Sequence, residues 1–121
     1  MVTQSERDND IIAHILKYCK RIENYLIKIE NNYAIFMSED LYRDAISMCE
    51  LQIGELSNHL SDEFKEQHKT VIPWSKIRAF RNILAHNYYN SDNEILWKVA
   101  TVDVPAVRKF CEDVLNTNKN P

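Results

Sequence analysis

Apolar side chains at Ile12, Ile15, Cys19, Ile22, Leu26 and Ile29 recur with 3-4-3-4-3 spacing. On a helix that spacing lays one apolar stripe along roughly five turns, with Ser5 and Asp8 as start signals. A short irregular or helical piece over residues 31–37 leads to Ser38, the expected N-cap of a second long helix. Glu39 and Asp40 follow where the helix dipole favours acids. This helix is predicted to run to about Leu60, with Leu41, Ala45, Met48, Cys49, Gln52, Ile53, Leu56 and Leu60 facing inward. Gly54 in its middle costs about 1 kcal/mol relative to alanine, so its expected purpose is close approach of another helix.

Residues 61–71 are polar, with Phe64 and Val71 as expected anchors. Pro73 reads as a first-turn proline, where its missing N–H is no loss. The helix it opens carries Ile77, Phe80 or Arg81, Leu84 and Tyr88 on one side. A last helical region starts near Ser91 and Asp92 and turns Ile95, Leu96 and Val99 inward. It is interrupted near Asp103 and Pro105, resumes through Val107, Phe110, Cys111 and Val114, and frays into NTNKNP. The pattern predicts an all-α fold: one domain over residues 1–121, ordered over about 7–116, with a four-helix core and an extra short or broken C-terminal helix.

Composition reinforces this picture. One glycine and three prolines are too few for the turns of hairpins and sandwiches. Apolar residues at 45% and charged residues at 27% suit an ordinary soluble globular chain. The opening MVTQSERDNDI carries acids where a signal peptide would be basic and then apolar, and no apolar run approaches a membrane span, so a cytoplasmic protein is expected. Cys19, Cys49 and Cys111 lack disulfide or zinc spacing and read as small core residues. His14, His59 and His68 share no metal-ligand spacing either, so neither metal nor cofactor is expected. Trp74 and Trp97 read as anchors, and Glu55 as a structural carboxylate paired with a basic residue. DEFKEQHK reads as a solvated face or a partner contact. A net charge of −3 excludes a broad basic platform, so any nucleic acid must be held locally.

The run IRAFRNILAHNYYN carries the chemistry. Arg81 and Tyr88 are seven apart and lie within roughly 20° on one helix face, while Asn82 and His86 form an i, i+4 pair on a neighbouring face. Arg81 and His86 are separated by about 140° around an ideal helix. They could share one phosphate only through the reach of the arginine or a loosened helix end.

The string Arg81-Asn82-Ile83-Leu84-Ala85-His86-Asn87-Tyr88 resembles the R-x4-6-H motif of HEPN-domain ribonucleases, in the R-x4-H-x-Y form of HepT toxins. RDNDIIAHILKYCKRIENYL, ISMCELQIGELSNHL and the PW before the motif are similar to the same family in the same order, so the resemblance covers about residues 7–115. It implies a HEPN bundle that forms a homodimer, and a metal-independent endoribonuclease acting as the toxin of a toxin–antitoxin pair. Arg81 and His86 would be catalytic, Asn82 would orient the imidazole, and Lys76 and Arg78 would line an RNA-binding rim. The resemblance also implies a partner, an MntA-type nucleotidyltransferase antitoxin that AMPylates Tyr88. The alternative is a non-catalytic HEPN subunit that positions substrate or nucleotide for such a partner.

Overall fold

Helix formation follows the apolar spacing closely in α1, Gln4–Lys28, whose buried residues Ile12, Ile15, Cys19, Ile22 and Leu26 form the foreseen stripe. A computed structural model describes residues 1–119, with side chains through Thr117. After α1 come α2 (Tyr33–Ser38), α3 (Asp40–Asn58), α4 (Asp62–Gln67) and α5 (Trp74–Asn87), a single 3₁₀ turn at Tyr88–Asn90, α6 (Asn93–Lys98), a π-helical stretch at Val99–Asp103, and α7 (Val104–Lys119). The described residues contain no strand. The four long helices α1, α3, α5 and α7 make an all-α HEPN-type bundle in which α1 packs against α3 and α7, and α3 also packs against α5.

Both ends of the bundle are closed by aromatic side chains. Phe64, Trp74 and Phe110 meet with ring centroids 6.1–6.2 Å apart, and Phe36 lies 5.1 Å from Trp97 at the other end. The two tryptophans are therefore anchors, as expected. Polar ties join elements that the apolar pattern does not connect. Buried Asp8 accepts from the Ser61 backbone N–H at 2.9 Å and from its hydroxyl at 2.7 Å, fastening α1 to the start of α4. Arg108 reaches Glu23 at 2.7 Å and fastens α7 to α1. All three cysteines are free and buried.

Several expectations about boundaries and faces need correction. Thr3, not Ser5 or Asp8, caps α1, because its side chain accepts from the Glu6 N–H. Ser38 closes α2 by donating to the Ile35 carbonyl, and Glu39 precedes α3 without a side-chain cap bond. Leu41 and Met48 stand 74% and 55% exposed; the inward residues of α3 are Ile46, Ser47, Cys49, Glu50, Ile53, Gly54 and Ser57. The reason is position: α3 is covered on more than one side, and small residues let neighbouring helices come close. Ile72 is buried in place of Val71; Leu96 is buried as expected, whereas Ile95, also expected inward, stands 50% exposed. Pro73 stands at the N-cap of α5 rather than inside its first turn.

No break occurs at Asp103 and Pro105. The π-helical stretch carries the chain onward, with the Val104 N–H bonding the Val99 carbonyl, and a locally wider turn makes room for a proline near a helix start. α7 reaches Lys119, past the point where the polar tail was expected to fray; Asn120 and Pro121 lie outside the described residues.

Candidate functional site

The motif residues sit on α5 and on the 3₁₀ turn that follows it. Arg81 crosses α3 at Gly54. A Cβ on Gly54 would stand 2.5 Å from the Arg81 Cβ and 2.9 Å from its Cγ, closer than carbon atoms can pack. Glycine is therefore required where the arginine stem lies across α3, the close approach that its mid-helix position predicts.

The half-buried Arg81 side chain is held on two sides. Its Nε donates to the Glu55 carboxylate at 2.5 Å, Nη2 forms an ion pair with the same oxygen, and Nη1 donates to the Asn82 side-chain oxygen at 2.9 Å. Glu55 is thus the paired carboxylate expected from sequence, and its partner is the motif arginine itself. The Arg81 side chain nevertheless stays 25% exposed, which leaves it within reach of an anion.

Seven residues on, the Tyr88 hydroxyl donates to Asp44 of α3. Burial and the neighbouring Asp44 carboxylate push this phenol above its usual value of 10.0, so it stays neutral and protonated around neutral pH. Arg81 with Glu55 and Tyr88 with Asp44 run in opposite sequence directions, which makes α5 antiparallel to α3. Glu55 and Asp44 are eleven residues apart, about three turns, and so share one face of α3. Nothing in the sequence marked Asp44: one acid in a charged surface stretch is indistinguishable from any other until α5 lies beside it.

His86 lies in the last turn of α5, exposed, about 140° around the helix from Arg81. Asn82, expected to orient it, makes its hydrogen bond to Arg81 instead. The two basic residues expected on a common rim are separated. Arg78 lines a groove shared with Asn82 and Trp74, whereas Lys76 lines a different cleft between α5 and the α6–α7 segment.

Glu50, at the floor of that second cleft, also went unforeseen. It is 4% exposed, both carboxyl oxygens lack a hydrogen-bond partner among the described residues, and burial with the nearby Asp103 charge pushes its carboxyl well above the usual range. Beside the π-helical stretch, burial thus favours its protonated form.

Comparison with known proteins agrees with the family resemblance. The family model described as Ribonuclease HepT-like matches residues 15–114. The protein named Putative RNase MJ1380, from Methanocaldococcus jannaschii, is 35% identical over 83 residues, 69% of this chain and 75% of the relative. Putative RNase TTE0752, from Caldanaerobacter subterraneus, is 27% identical over 108 residues, covering 89% of this chain and 94% of the relative. Probable ribonuclease HepT, from Thermococcus cleftensis, is 36% identical over 56 residues, 46% of this chain and 50% of its own length. No solved structure matches the chain significantly.

Proposed function

Because the chain belongs to the HepT-like ribonuclease family, we propose that it is a toxin that cuts RNA internally without a metal ion, using Arg81 and His86. In this reading the RNA's own 2′-hydroxyl attacks the adjacent phosphorus while His86 moves the proton. The P–O5′ bond breaks, leaving a 2′,3′-cyclic phosphate on one fragment and a 5′-hydroxyl on the other. Positioned proton transfer contributes about 10² to 10⁴ in rate. Arg81 stabilises charge on the phosphorane, a role worth roughly 3 to 4 kcal/mol for one well-placed donor. The observation that carries the reading is the mounting of Arg81: Glu55 and Asn82 hold the guanidinium at a defined place while the side chain stays 25% exposed. Asn82 thus serves the arginine rather than the imidazole.

His86 and Arg81 diverge on one protomer, and a homodimer with facing motifs brings complementary groups together across a two-fold axis. Exposed Leu41, Met48 and Ile83 around the motif supply apolar surface for such an interface. Control rests on Tyr88. An MntA-type nucleotidyltransferase antitoxin would join the tyrosine oxygen to the α-phosphorus of ATP, with pyrophosphate leaving, and the added AMP would block RNA by volume and by like charge. The neutral, protonated Tyr88 hydroxyl beside Asp44 supports this assignment, because the carboxylate can take up the phenolic proton as the bond forms.

The test is expression of wild type, His86→Ala and Arg81→Ala, alone and with the nucleotidyltransferase. Growth arrest and cleavage that persists in chelator are expected from wild type only, with helical circular dichroism unchanged in the variants. Co-expression should end toxicity and raise the protein's mass by multiples of one AMP, an increment that Tyr88→Phe removes. Cleavage that survives both alanine substitutions would sink the mechanism, and a harmless, inactive wild type would favour the non-catalytic subunit.

A further inference from the structure

The exposed face of α5 that carries His86 continues toward the helix start as a stripe. Ser75, Arg78, Asn82 and His86 are separated by three, four and four residues and so fall within an arc of about 80°. Over the first half of α5 this stripe forms one wall of a groove of about 380 Å³, whose other walls come from Asn58 at the end of α3 and Lys65 of α4. The walls are fixed in place: the Trp74 indole N–H donates to the Lys65 carbonyl at 3.0 Å, and Trp74 packs on Phe64.

Two cations line this groove, Lys65 from α4 and Arg78 from α5, and neither has a hydrogen-bonded or ion-paired acid among the described residues. Arg43, Lys69, Lys98, Arg108 and Lys109 are each paired with an acid; Lys65 and Arg78 differ from the remaining basic side chains in sharing one groove. In a chain of net charge −3, two uncompensated cations facing one groove form a local anion site. Asn82 links this site to the candidate catalytic residues, since it lines the groove and also holds Arg81. Arg78 and His86 stand eight residues apart, roughly 12 Å along the helix, a span that a few nucleotides of single strand cover.

We propose that this groove is a substrate subsite in which Lys65 and Arg78 together take a backbone phosphodiester of the RNA strand, a few nucleotides from the bond cut beside His86. The assignment rests on the ribonuclease reading and deepens it, adding Lys65 and dividing the basic residues of α5 by face: Arg78 belongs to the strand's path, and Lys76 lies across the helix from it.

The experiment measures binding of a fluorescein-labelled single-stranded oligoribonucleotide to the full-length His86→Ala protein by anisotropy across a series of salt concentrations. Lys65→Gln and Arg78→Gln are compared in that background, and Lys17→Gln on exposed α1 serves as a charge-matched control. Each groove substitution should weaken binding several-fold at low salt and reduce the slope of log K against log salt by about 0.7, the value for one lost phosphate contact on a single strand. Lys17→Gln should move neither quantity, and melting temperature reports whether each variant folds. Equal weakening by all three variants, or unchanged slopes for Lys65→Gln and Arg78→Gln, overturns the groove. Because the background protein does not cut RNA, failure of the ribonuclease reading appears separately, as a wild type that binds the strand but does not cleave it.

Discussion

Tyr88 and Asp44 show how one hydrogen bond decides what a side chain can do. Burial, and after it the hydrogen bond the phenol donates to a carboxylate on the neighbouring helix, hold Tyr88 above its ordinary titration, so the folded state retains the proton more strongly than the unfolded chain does. Stability from this group is therefore fully present below its unfolded pKa and is lost as pH rises through the higher folded value. Asp44→Ala should bring the Tyr88 absorbance titration down toward that of a free tyrosine and slow AMP incorporation, because no acceptor remains for the leaving proton. Tyr88→Phe should cost about 1 kcal/mol in urea unfolding, the usual net worth of one such bond. A Tyr88 titration that Asp44→Ala leaves in place would show that the carboxylate does not govern the phenol. Arg81 and Tyr88 were legible as a pair from their spacing alone, since seven residues return a helix nearly to the same face. Their partners Glu55 and Asp44 were legible only in part, because that pairing depends on how two helices far apart in sequence are placed.

At the scale of elements, the crossing of α3 and α5 is the decisive contact. Gly54 leaves room for the Arg81 stem, and the pairings with Glu55 and Asp44 set the register along the crossing. Gly54→Ala gains about 1 kcal/mol in helix propensity but forces an added carbon to within 2.5 Å of the Arg81 Cβ. Overpacking of this kind typically costs about 1 to 3 kcal/mol, so the net change should be destabilising or near neutral. The larger effect should fall on function, because Arg81 must move: RNA cleavage by Gly54→Ala should drop at least tenfold while the helical spectrum is kept. Full activity in that variant would mean that α5 can slide without disturbing the site. The π-helical stretch belongs to this scale too. The proline signal correctly located a departure from regular α-helix, but it could not distinguish a break from a widened turn, since both relieve the missing N–H and the ring clash.

Across the whole molecule, burial of a single acid ties stability to pH. Glu50 lies inside the bundle with its folded pKa well above the ordinary 4.5, first through burial and then through the charge on Asp103. The protonated acid contributes stability that is complete below about pH 4.5 and lost as pH rises through the folded value. Melting temperature should therefore fall on going from about pH 5 to alkaline pH, and Glu50→Gln, which stays neutral, should flatten that dependence and stabilise the protein in the alkaline range. Identical pH profiles for the two proteins would show that Glu50 ionises without penalty. The sequence by itself determined the all-α class, the long α1 stripe, the buried cysteines, the need for glycine at 54 and the motif that leads to the HepT-like ribonuclease family. Those features depend on local period or on residue type, which a chain carries whatever its neighbours are. Only the tertiary structure decided that Ser47, Glu50 and Ser57 face inward while Leu41 and Met48 face out, that Glu55 holds Arg81, and that Lys76 and Arg78 look into different clefts. A helix covered on more than one side has no single polar face for a periodic pattern to reveal, and a side chain's partner is set by which distant segment is packed against it.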